Sequence, residues 1–199
     1  TAASVTLSAK NDVHGNHSSS SPVANRPRMA PPPATPTQTP IAIHSLYPRD
    51  AMPLWDSVST KAIAQPMKTY GRLAFEYPYP KAVNVHGPVF GMEYPMIAFC
   101  GARPTPDGQV TPGLARSLIS VTIHEVGHNW FPMIVASDER KWTWMDEGIN
   151  SFLQYYAEQD WDPTYPSQRG PAKNIVGYMR QEAQVPLMTE SNDVQTQFG

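Results

Sequence analysis

The sequence predicts an α+β fold in which one mixed domain, residues 45–199, follows a disordered segment, residues 1–44. The first observation is a change of composition. Ser, Thr, Ala, Asn and Pro dominate the first segment, whereas the second alternates short strand-like runs with longer helical ones. The second observation is a long apolar segment in the middle of the chain, which is typical of a buried helix. At about 155 residues, the domain is long enough to bury one core.

The N-terminal segment has the composition of a linker. It contains a serine run at residues 18–21 and three consecutive prolines at residues 31–33. Such a segment cannot bury enough apolar surface to offset the entropy lost when its backbone is ordered. We therefore expect residues 1–44 to be disordered.

The first half of the domain is predicted to contain one helix and two strands. Residues 50–73 carry apolar side chains at helical spacing, and an interruption is expected at Pro66 because proline lacks a backbone N–H. Residues 81–85 and 92–99 are short runs of strand-forming residues such as Val, Tyr, Ile and Phe. A loop rich in Pro and Gly, residues 101–113, follows them.

A central helix is predicted over residues 111–135. Thr111 is a suitable N-cap, and Pro112 suits the first helical position. Pro132 is expected to end or kink the helix. Its apolar residues occur on nearly every side, as is typical of a helix at the centre of a domain; they are Leu114, Leu118, Val121, Ile123, Val126, Trp130 and Phe131.

Two further helices are predicted towards the C-terminus. One covers roughly residues 144–158 and follows a solvated loop. The other lies near residues 171–184. The apolar spacing of the first predicts an inner face made of Met145, Ile149, Phe152, Leu153 and Tyr156.

The central helix contains the pentapeptide His-Glu-Val-Gly-His at residues 124–128. His124 and His128 are four positions apart, so a helix places both imidazoles on one face, about one turn from each other. Two neutral imidazoles in this arrangement can share one zinc ion. Glu125 would lie beside the metal without binding it, where its carboxylate can take a proton from the attacking water.

Glu147 follows His128 after eighteen intervening residues and lies in the first turn of the next predicted helix. A zinc site that performs chemistry has three protein ligands and one open position. Glu147 suits the third ligand position because a second helix can bring its carboxylate to the histidine pair. The alternative is a buried, hydrogen-bonded histidine pair that holds no metal.

The composition speaks against several other functions. The net charge is −2, from 15 basic and 17 acidic residues without a basic block, so nucleic-acid binding has no electrostatic support. Cys100 is the only cysteine, and the chain has neither a CxxC nor a GxSxG motif. A cysteine or serine nucleophile is therefore unsupported. No apolar stretch approaches the ~18 residues of a membrane span.

The segments HEVGHNWF and WMDEGINSF resemble those of zinc aminopeptidases of the aminopeptidase N type, within the gluzincin clan of metallopeptidases. The family pattern is HExxH, eighteen residues and then a glutamate within Trp-x-x-Glu-Gly. The resemblance implies a thermolysin-like catalytic domain and one Zn²⁺ ion bound by His124, His128 and Glu147. It also implies Glu125 as the catalytic base. Asp146 departs from the family, which usually has Asn before the last ligand.

A second family motif, Gly-x-Met-Glu-Asn, has a counterpart upstream of the central helix. Gly91, Met92 and Glu93 fit this motif, whereas Phe90 and Tyr94 replace its usual Gly and Asn. The resemblance implies that Glu93 binds the free α-ammonium group of a peptide by a charge-assisted hydrogen bond. Gly91 and Met92 would then lie extended along the substrate. The alternative is an ordinary surface glutamate on a strand.

Together these features predict an enzyme that hydrolyses peptide bonds and releases N-terminal residues from a peptide substrate. In the family, a β-rich domain precedes the zinc domain and a helical domain follows it, and neither fits within 199 residues. The tyrosine that stabilises the oxyanion in the family would lie at or beyond residue 199. We therefore expect this chain to be a part of the catalytic domain that is inactive alone.

Two other functions stay open. The first is a zinc endopeptidase or another hydrolase of the same clan, if Phe90 and Tyr94 mark the loss of the amine-binding site. The second is a non-catalytic module that keeps the zinc for stability and does not turn over substrate.

Overall fold

The computed structural model describes residues 2–7 and 40–194. These residues form a five-stranded sheet with helices packed on it, which confirms the predicted α+β class. Within the described part of the chain, no helix has the length and apolar character that a membrane span requires.

The strands of the sheet follow the order β1-β2-β3-β5-β4. Strands β2, β3 and β5 pair in parallel, whereas β1 and β4 pair antiparallel at the two edges. Strand β4 therefore forms one edge of the described sheet. The strands are β1 (Ala2–Leu7), β2 (Ile41–Leu46), β3 (Lys81–His86), β4 (Gly91–Tyr94) and β5 (Ile97–Cys100).

Two predictions about strands need correction. The single strand expected at residues 92–99 is a hairpin of β4 and β5, in which Met96 adopts a left-handed conformation with φ of 65°. The disordered segment expected at residues 1–44 includes β1 and the start of β2. Ile43 and Ser45 of β2 are fully buried, so β2 is an interior strand. It was not predicted as a strand because the sequence before it is rich in polar residues and proline. The rest of that segment, residues 8–39, lies outside the described residues.

The helices pack as a group on the sheet. Helices α1 and α2 contact each other along their lengths, and α3 contacts both of them. The main core lies between this group and strands β2, β3 and β5. The helices are α1 (Leu54–Leu73), α2 (Pro112–Gly127), α3 (Ile149–Trp161) and α4 (Ala172–Met179).

Helix α1 continues through Pro66, where an interruption was expected. Hydrogen bonds tie it to α3 on both sides of the proline. The Gln65 amide donates to the Ala157 carbonyl oxygen at 3.1 Å, and the Tyr70 hydroxyl donates to the Asn150 carbonyl oxygen at 3.0 Å. Packing against α3 therefore maintains the helix despite the backbone hydrogen bond that proline cannot make.

Helix α2 begins as predicted but ends earlier. The Thr111 side chain accepts a hydrogen bond from a backbone N–H of the first turn at 3.2 Å, and Pro112 is the first helical residue. The helix ends at Gly127, and Phe131 leaves the helical conformation with φ of −132° and ψ of 111°. Pro132 explains this break because a proline disfavours the helical conformation of the residue before it.

Helix α3 buries a different face from the one predicted. Phe152 is 56% exposed and Tyr156 is 41% exposed, although both were expected inside. The prediction was wrong because it considered apolar residues only, whereas α3 faces a polar site. Its buried residues are Asn150, Leu153, Gln154, Ala157 and Glu158.

Candidate metal centre

Two histidines and one glutamate converge at the C-terminal end of α2. His124 and His128 lie one turn apart, and their Nε2 atoms are 3.1 Å from each other. Glu147 lies in a wide helical turn, Trp144–Gly148, that leads directly into α3. Its Oε2 atom is 3.0 Å from His124 Nε2. The structure thus brings together the three residues that the sequence spacing indicated as metal ligands.

Hydrogen bonds on the far side of each ring define which nitrogens face the centre. His124 Nδ1 lies 2.8 Å from the Gln154 side-chain oxygen, and His128 Nδ1 lies 3.0 Å from the Phe131 carbonyl oxygen. Because both oxygens can only accept, each Nδ1 carries the ring proton. In their uncharged form, both rings therefore present an Nε2 lone pair to each other and to the Glu147 carboxylate.

This cluster of acceptors fits a metal ion. Lone pairs on two nitrogens 3.1 Å apart repel each other unless a cation or a proton lies between them. A tetrahedral zinc ion with bonds of about 2.0–2.2 Å separates its ligand atoms by roughly 3.3–3.6 Å. The observed separations of 3.0 and 3.1 Å need only a small outward shift to reach that range. His124, His128 and Glu147 could therefore hold one metal ion.

The charges around the histidines favour a cation. Burial lowers the pKa of His128, but the Asp146 carboxylate beside its ring, together with Glu93 and Glu147, raises that pKa to about 9. The close contact with His124 holds the pKa of the Glu147 carboxyl below its ordinary value. Positive charge is thus stabilised where the three side chains meet.

Glu125 lies beside the three converging side chains without joining them. It is only 6% exposed. Burial raises the pKa of Glu125 to about 8, with Glu93 and Glu147 adding to the rise and His128 opposing it. A Cβ atom at Gly91 would lie 2.3 Å from Glu125 Oε1, so only glycine allows β4 to approach this carboxyl so closely.

Glu93 faces the same site from β4. One ligating atom from each of Glu93, His128 and Asp146 lies within 4.8 Å of the other two. The Glu93 carboxyl is also close enough to that of Glu125 to help raise the pKa of Glu125. The strand residues before it, Gly91 and Met92, are half-buried. Edge strand β4 therefore passes the site, as the second sequence motif led us to expect.

Asp146 has a contact that the sequence analysis did not foresee. Its Oδ1 atom lies 3.0 Å from His128 Nδ1. The proton on that nitrogen points to the Phe131 carbonyl, so the buried Asp146 Oδ1 has no hydrogen-bond partner among the described residues. A carboxylate so placed stabilises positive charge on the imidazole. This contact could have been predicted from the position of Asp146, which directly precedes Glu147 in the same helical turn.

A close contact between α2 and α3 was also not foreseen. The Asn150 amide donates to the His124 carbonyl oxygen at 2.9 Å, and the Tyr70 hydroxyl donates to the Asn150 side-chain oxygen at 2.9 Å. A Cβ atom at Gly127 would lie 2.3 Å from that oxygen and 2.6 Å from the Tyr70 hydroxyl. The glycine inside HEVGH therefore permits the approach that brings Glu147 to the histidines.

Neither a protein-family model nor a curated protein matches this chain. Any function must therefore follow from the residues of the site and from the sequence motifs.

Proposed function

We propose that this chain belongs to a zinc metallopeptidase of the aminopeptidase N type, with a thermolysin-like catalytic domain, that releases N-terminal residues from peptides. The observation that carries the proposal is the meeting of two imidazole Nε2 atoms and one carboxylate oxygen, with separations of 3.0 and 3.1 Å. The buried Glu125 and the strand-borne Glu93 lie beside them. The HExxH motif and Glu147 independently support the same metal ligands from the sequence.

In this proposal His124, His128 and Glu147 are the ligands of one zinc ion. Two imidazoles and one carboxylate form a donor set that catalytic zinc sites use, with a fourth position left for water or substrate. When bound, zinc supplies Lewis-acid polarisation of the scissile carbonyl and lowers the pKa of water towards roughly 7.

Glu125 is the general base of the proposed reaction. Its carboxylate takes the proton of the attacking water and passes it to the leaving amine. A general base works best when its pKa lies near the operating pH. Burial raises the pKa of Glu125 to about 8, which brings it into that range.

Glu93 supplies the specificity for a free N-terminus. An aminopeptidase must hold the substrate's α-ammonium about one residue from the bond that it cuts, and a trans peptide unit spans about 3.8 Å between α-carbons. Glu93 lies on β4 next to Glu125 and within 4.8 Å of His128, so its carboxylate is close enough to bind that ammonium. Strand β4 can pair with an extended peptide backbone.

An endopeptidase of the same clan is the second candidate. The side chains of Phe90 and Tyr94, which replace the usual family residues, are 60% and 51% exposed. Bulky exposed side chains on both sides of Glu93 would suit a site that binds substrate residues on the N-terminal side of the bond that is cut. The two candidates differ in whether a free α-amine is required.

We expect the chain to bind one Zn²⁺ ion and to become more stable as a result. At a free zinc concentration of about 100 times Kd, binding adds about 2.7 kcal/mol to the free energy of unfolding. For a chain of this size, that corresponds to a rise in Tm of about 5–11 °C. Metal content after dialysis and thermal melting with and without zinc measure both effects.

The matched controls are single alanine substitutions. His124→Ala and Glu147→Ala should each remove the rise in Tm. His44→Ala, on β2 and outside the converging side chains, should keep it. A chain that shows no zinc in the dialysed sample and no change in Tm would contradict the proposed metal centre.

We expect Glu93→Ala to weaken hydrolysis of free-amine peptides far more than that of N-acetylated peptides, because only the free amine carries the charge that Glu93 binds. The measurement is kcat/KM for both peptides in the full-length enzyme, since the family resemblance implies further domains. Glu93→Gln is the matched control that keeps a polar side chain and removes the charge. Equal losses on both peptides would assign Glu93 to the fold, and wild-type preference for blocked peptides would favour the endopeptidase.

A further inference from the structure

A hydrogen-bonded group of three side chains lies behind His124, on the side away from the proposed zinc ion. We call Ser120, Gln154 and Glu158 the Gln154 network. Gln154 Oε1 lies 2.8 Å from His124 Nδ1. Gln154 Nε2 donates to Glu158 Oε1 at 2.9 Å and to Ser120 Oγ at 2.8 Å. The Ser120 hydroxyl donates to Glu158 Oε1 at 2.7 Å, which closes the group.

The chemistry of these groups fixes the direction of every hydrogen bond. Glu158 Oε1 accepts hydrogen bonds from the Gln154 amide and the Ser120 hydroxyl. The Gln154 NH₂ group is therefore turned towards Glu158, and its oxygen is turned towards His124. An amide oxygen also only accepts, so His124 Nδ1 must carry the proton. This leaves the lone pair of Nε2 directed at the proposed zinc ion.

Glu158 occupies a position that is electrostatically costly. Its side chain is only 3% exposed, and no cation of the described residues lies within ion-pair distance of it. It also lies in the last turn of α3, where the helix dipole disfavours a negative charge. Among the described residues, its side-chain hydrogen bonds are those from Gln154 and Ser120, and Gln154 links it to His124.

The two histidines differ in what holds them. His128 Nδ1 donates to the backbone carbonyl of Phe131 and lies 3.0 Å from the Asp146 carboxylate. His124 Nδ1 donates to a side-chain amide that Glu158 polarises. Negative charge behind the amide increases the electron density on its oxygen, and this in turn makes His124 Nε2 a stronger ligand.

We propose that Gln154 and Glu158 are positioning residues for the metal: they fix the His124 tautomer and strengthen its bond to zinc. The inference rests on the proposed zinc centre and goes beyond it, because it assigns a role to residues that touch neither the metal nor the substrate. Removal of such outer hydrogen-bond partners typically weakens metal affinity about 10–100-fold.

The experiment measures zinc affinity of the chain by competition with a chelator. Gln154→Ala should weaken affinity about 10–100-fold. Glu158→Gln keeps an oxygen that can accept both hydrogen bonds and removes the charge, so a smaller loss of at least about threefold is expected. Gln159→Ala is the matched control, because Gln159 is a neighbouring glutamine on α3 that hydrogen-bonds the backbone of Tyr165 instead.

A double variant provides the rescue. In Gln154→Glu with Glu158→Gln, the new carboxylate at position 154 can accept directly from His124 Nδ1, and the new amide at position 158 can donate to that carboxylate. The order of amide and carboxylate is reversed, but an acceptor still faces the histidine. We expect affinity within about threefold of the wild type, or tighter.

A second readout does not need the metal. ¹⁵N NMR of the His124 ring, recorded at a pH where the ring is uncharged, should show Nδ1 as the protonated nitrogen in the wild type and a mixture of tautomers in Gln154→Ala. If Gln154→Ala does not fold, Glu158→Gln and the double variant still carry the test, since both keep every position polar and similar in size.

The outcomes separate the two proposals. If the wild type binds zinc and the Gln154→Ala and Glu158→Gln variants match Gln159→Ala in affinity and in the NMR tautomer, the positioning role is overturned and the zinc centre stands. If the double variant binds zinc as weakly as Gln154→Ala, the need for an acceptor at His124 is overturned. A wild type that takes up no zinc would overturn the proposed function, and the positioning role with it.

Discussion

In the proposed zinc metallopeptidase, Glu125→Gln should reduce peptide hydrolysis by about 10²–10⁴-fold while the zinc ion stays bound, because general acid–base catalysis typically contributes a factor of that size. The glutamine has nearly the same shape as the glutamate but cannot take a proton. Glu125 is not among the three converging ligand residues, so its loss should change the rate and leave the metal affinity intact. We therefore expect the rate of hydrolysis to fall while the zinc affinity stays unchanged.

The measurement is kcat in the full-length enzyme, with zinc content determined on the same preparation. Glu147→Gln is the matched control: it makes the same chemical change one helix away, at a residue whose oxygen lies 3.0 Å from His124 Nε2. This control should lose zinc and activity together. A Glu125→Gln enzyme with a near wild-type kcat would reject Glu125 as the base, and one without zinc would make it a ligand.

Periodicity explains why the centre of the site could be predicted from the sequence. Two histidines at positions i and i+4 of a helix must share a face. His124 lies in the last turn of α2, and His128, the residue directly after the helix, keeps a helical backbone conformation. Glu147 was predicted from the fixed gap, and the structure places it in the turn that enters α3. The histidine pair is a local feature of one helix, whereas the meeting with Glu147 also needs the close contact of α2 and α3 at Gly127.

The surroundings of the site depend on contacts that a single sequence does not specify. Helix α3 has apolar residues at suitable spacing on one face, yet Phe152 and Tyr156 are exposed while Gln154 and Glu158 are buried. Polar residues normally point outwards, so the spacing predicted the wrong face. Burial of the polar face becomes understandable only once Gln154 is seen to meet His124, thirty residues earlier in the chain.

The strands and helix ends also differ in how far they depend on distant contacts. The N-cap at Thr111 and the start at Pro112 follow from side-chain chemistry within one turn, and both were predicted. The continuation of α1 through Pro66 depends on hydrogen bonds with α3, which is about ninety residues away. Strand β2 likewise depends on partners on both sides, because β1 and β3 flank it.

Gly127→Ala should disrupt the packing of α2 against α3 and weaken binding of the proposed zinc ion. The added Cβ atom would lie 2.3 Å from the Asn150 side-chain oxygen and 2.6 Å from the Tyr70 hydroxyl, and both of those residues are fully buried. Overpacking of a tight core typically costs about 1–3 kcal/mol. We expect a loss near the upper end, about 3 kcal/mol, because the shift also breaks the hydrogen bond between the Tyr70 and Asn150 side chains.

Thermal melting and zinc affinity of the same variant measure this prediction. A loss of about 3 kcal/mol corresponds to a fall in Tm of about 6–12 °C for a chain of this size. Gly177→Ala is the matched control: Gly177 lies inside α4, and a Cβ atom there meets nothing within 4 Å. The control should stabilise the chain by about 0.4–1 kcal/mol, because alanine restricts the unfolded state more than glycine does. If both variants melt at or above the wild-type temperature and bind zinc equally well, the glycine of HEVGH is not needed for the approach of α3, and the distance between the histidines and Glu147 must be set by other contacts.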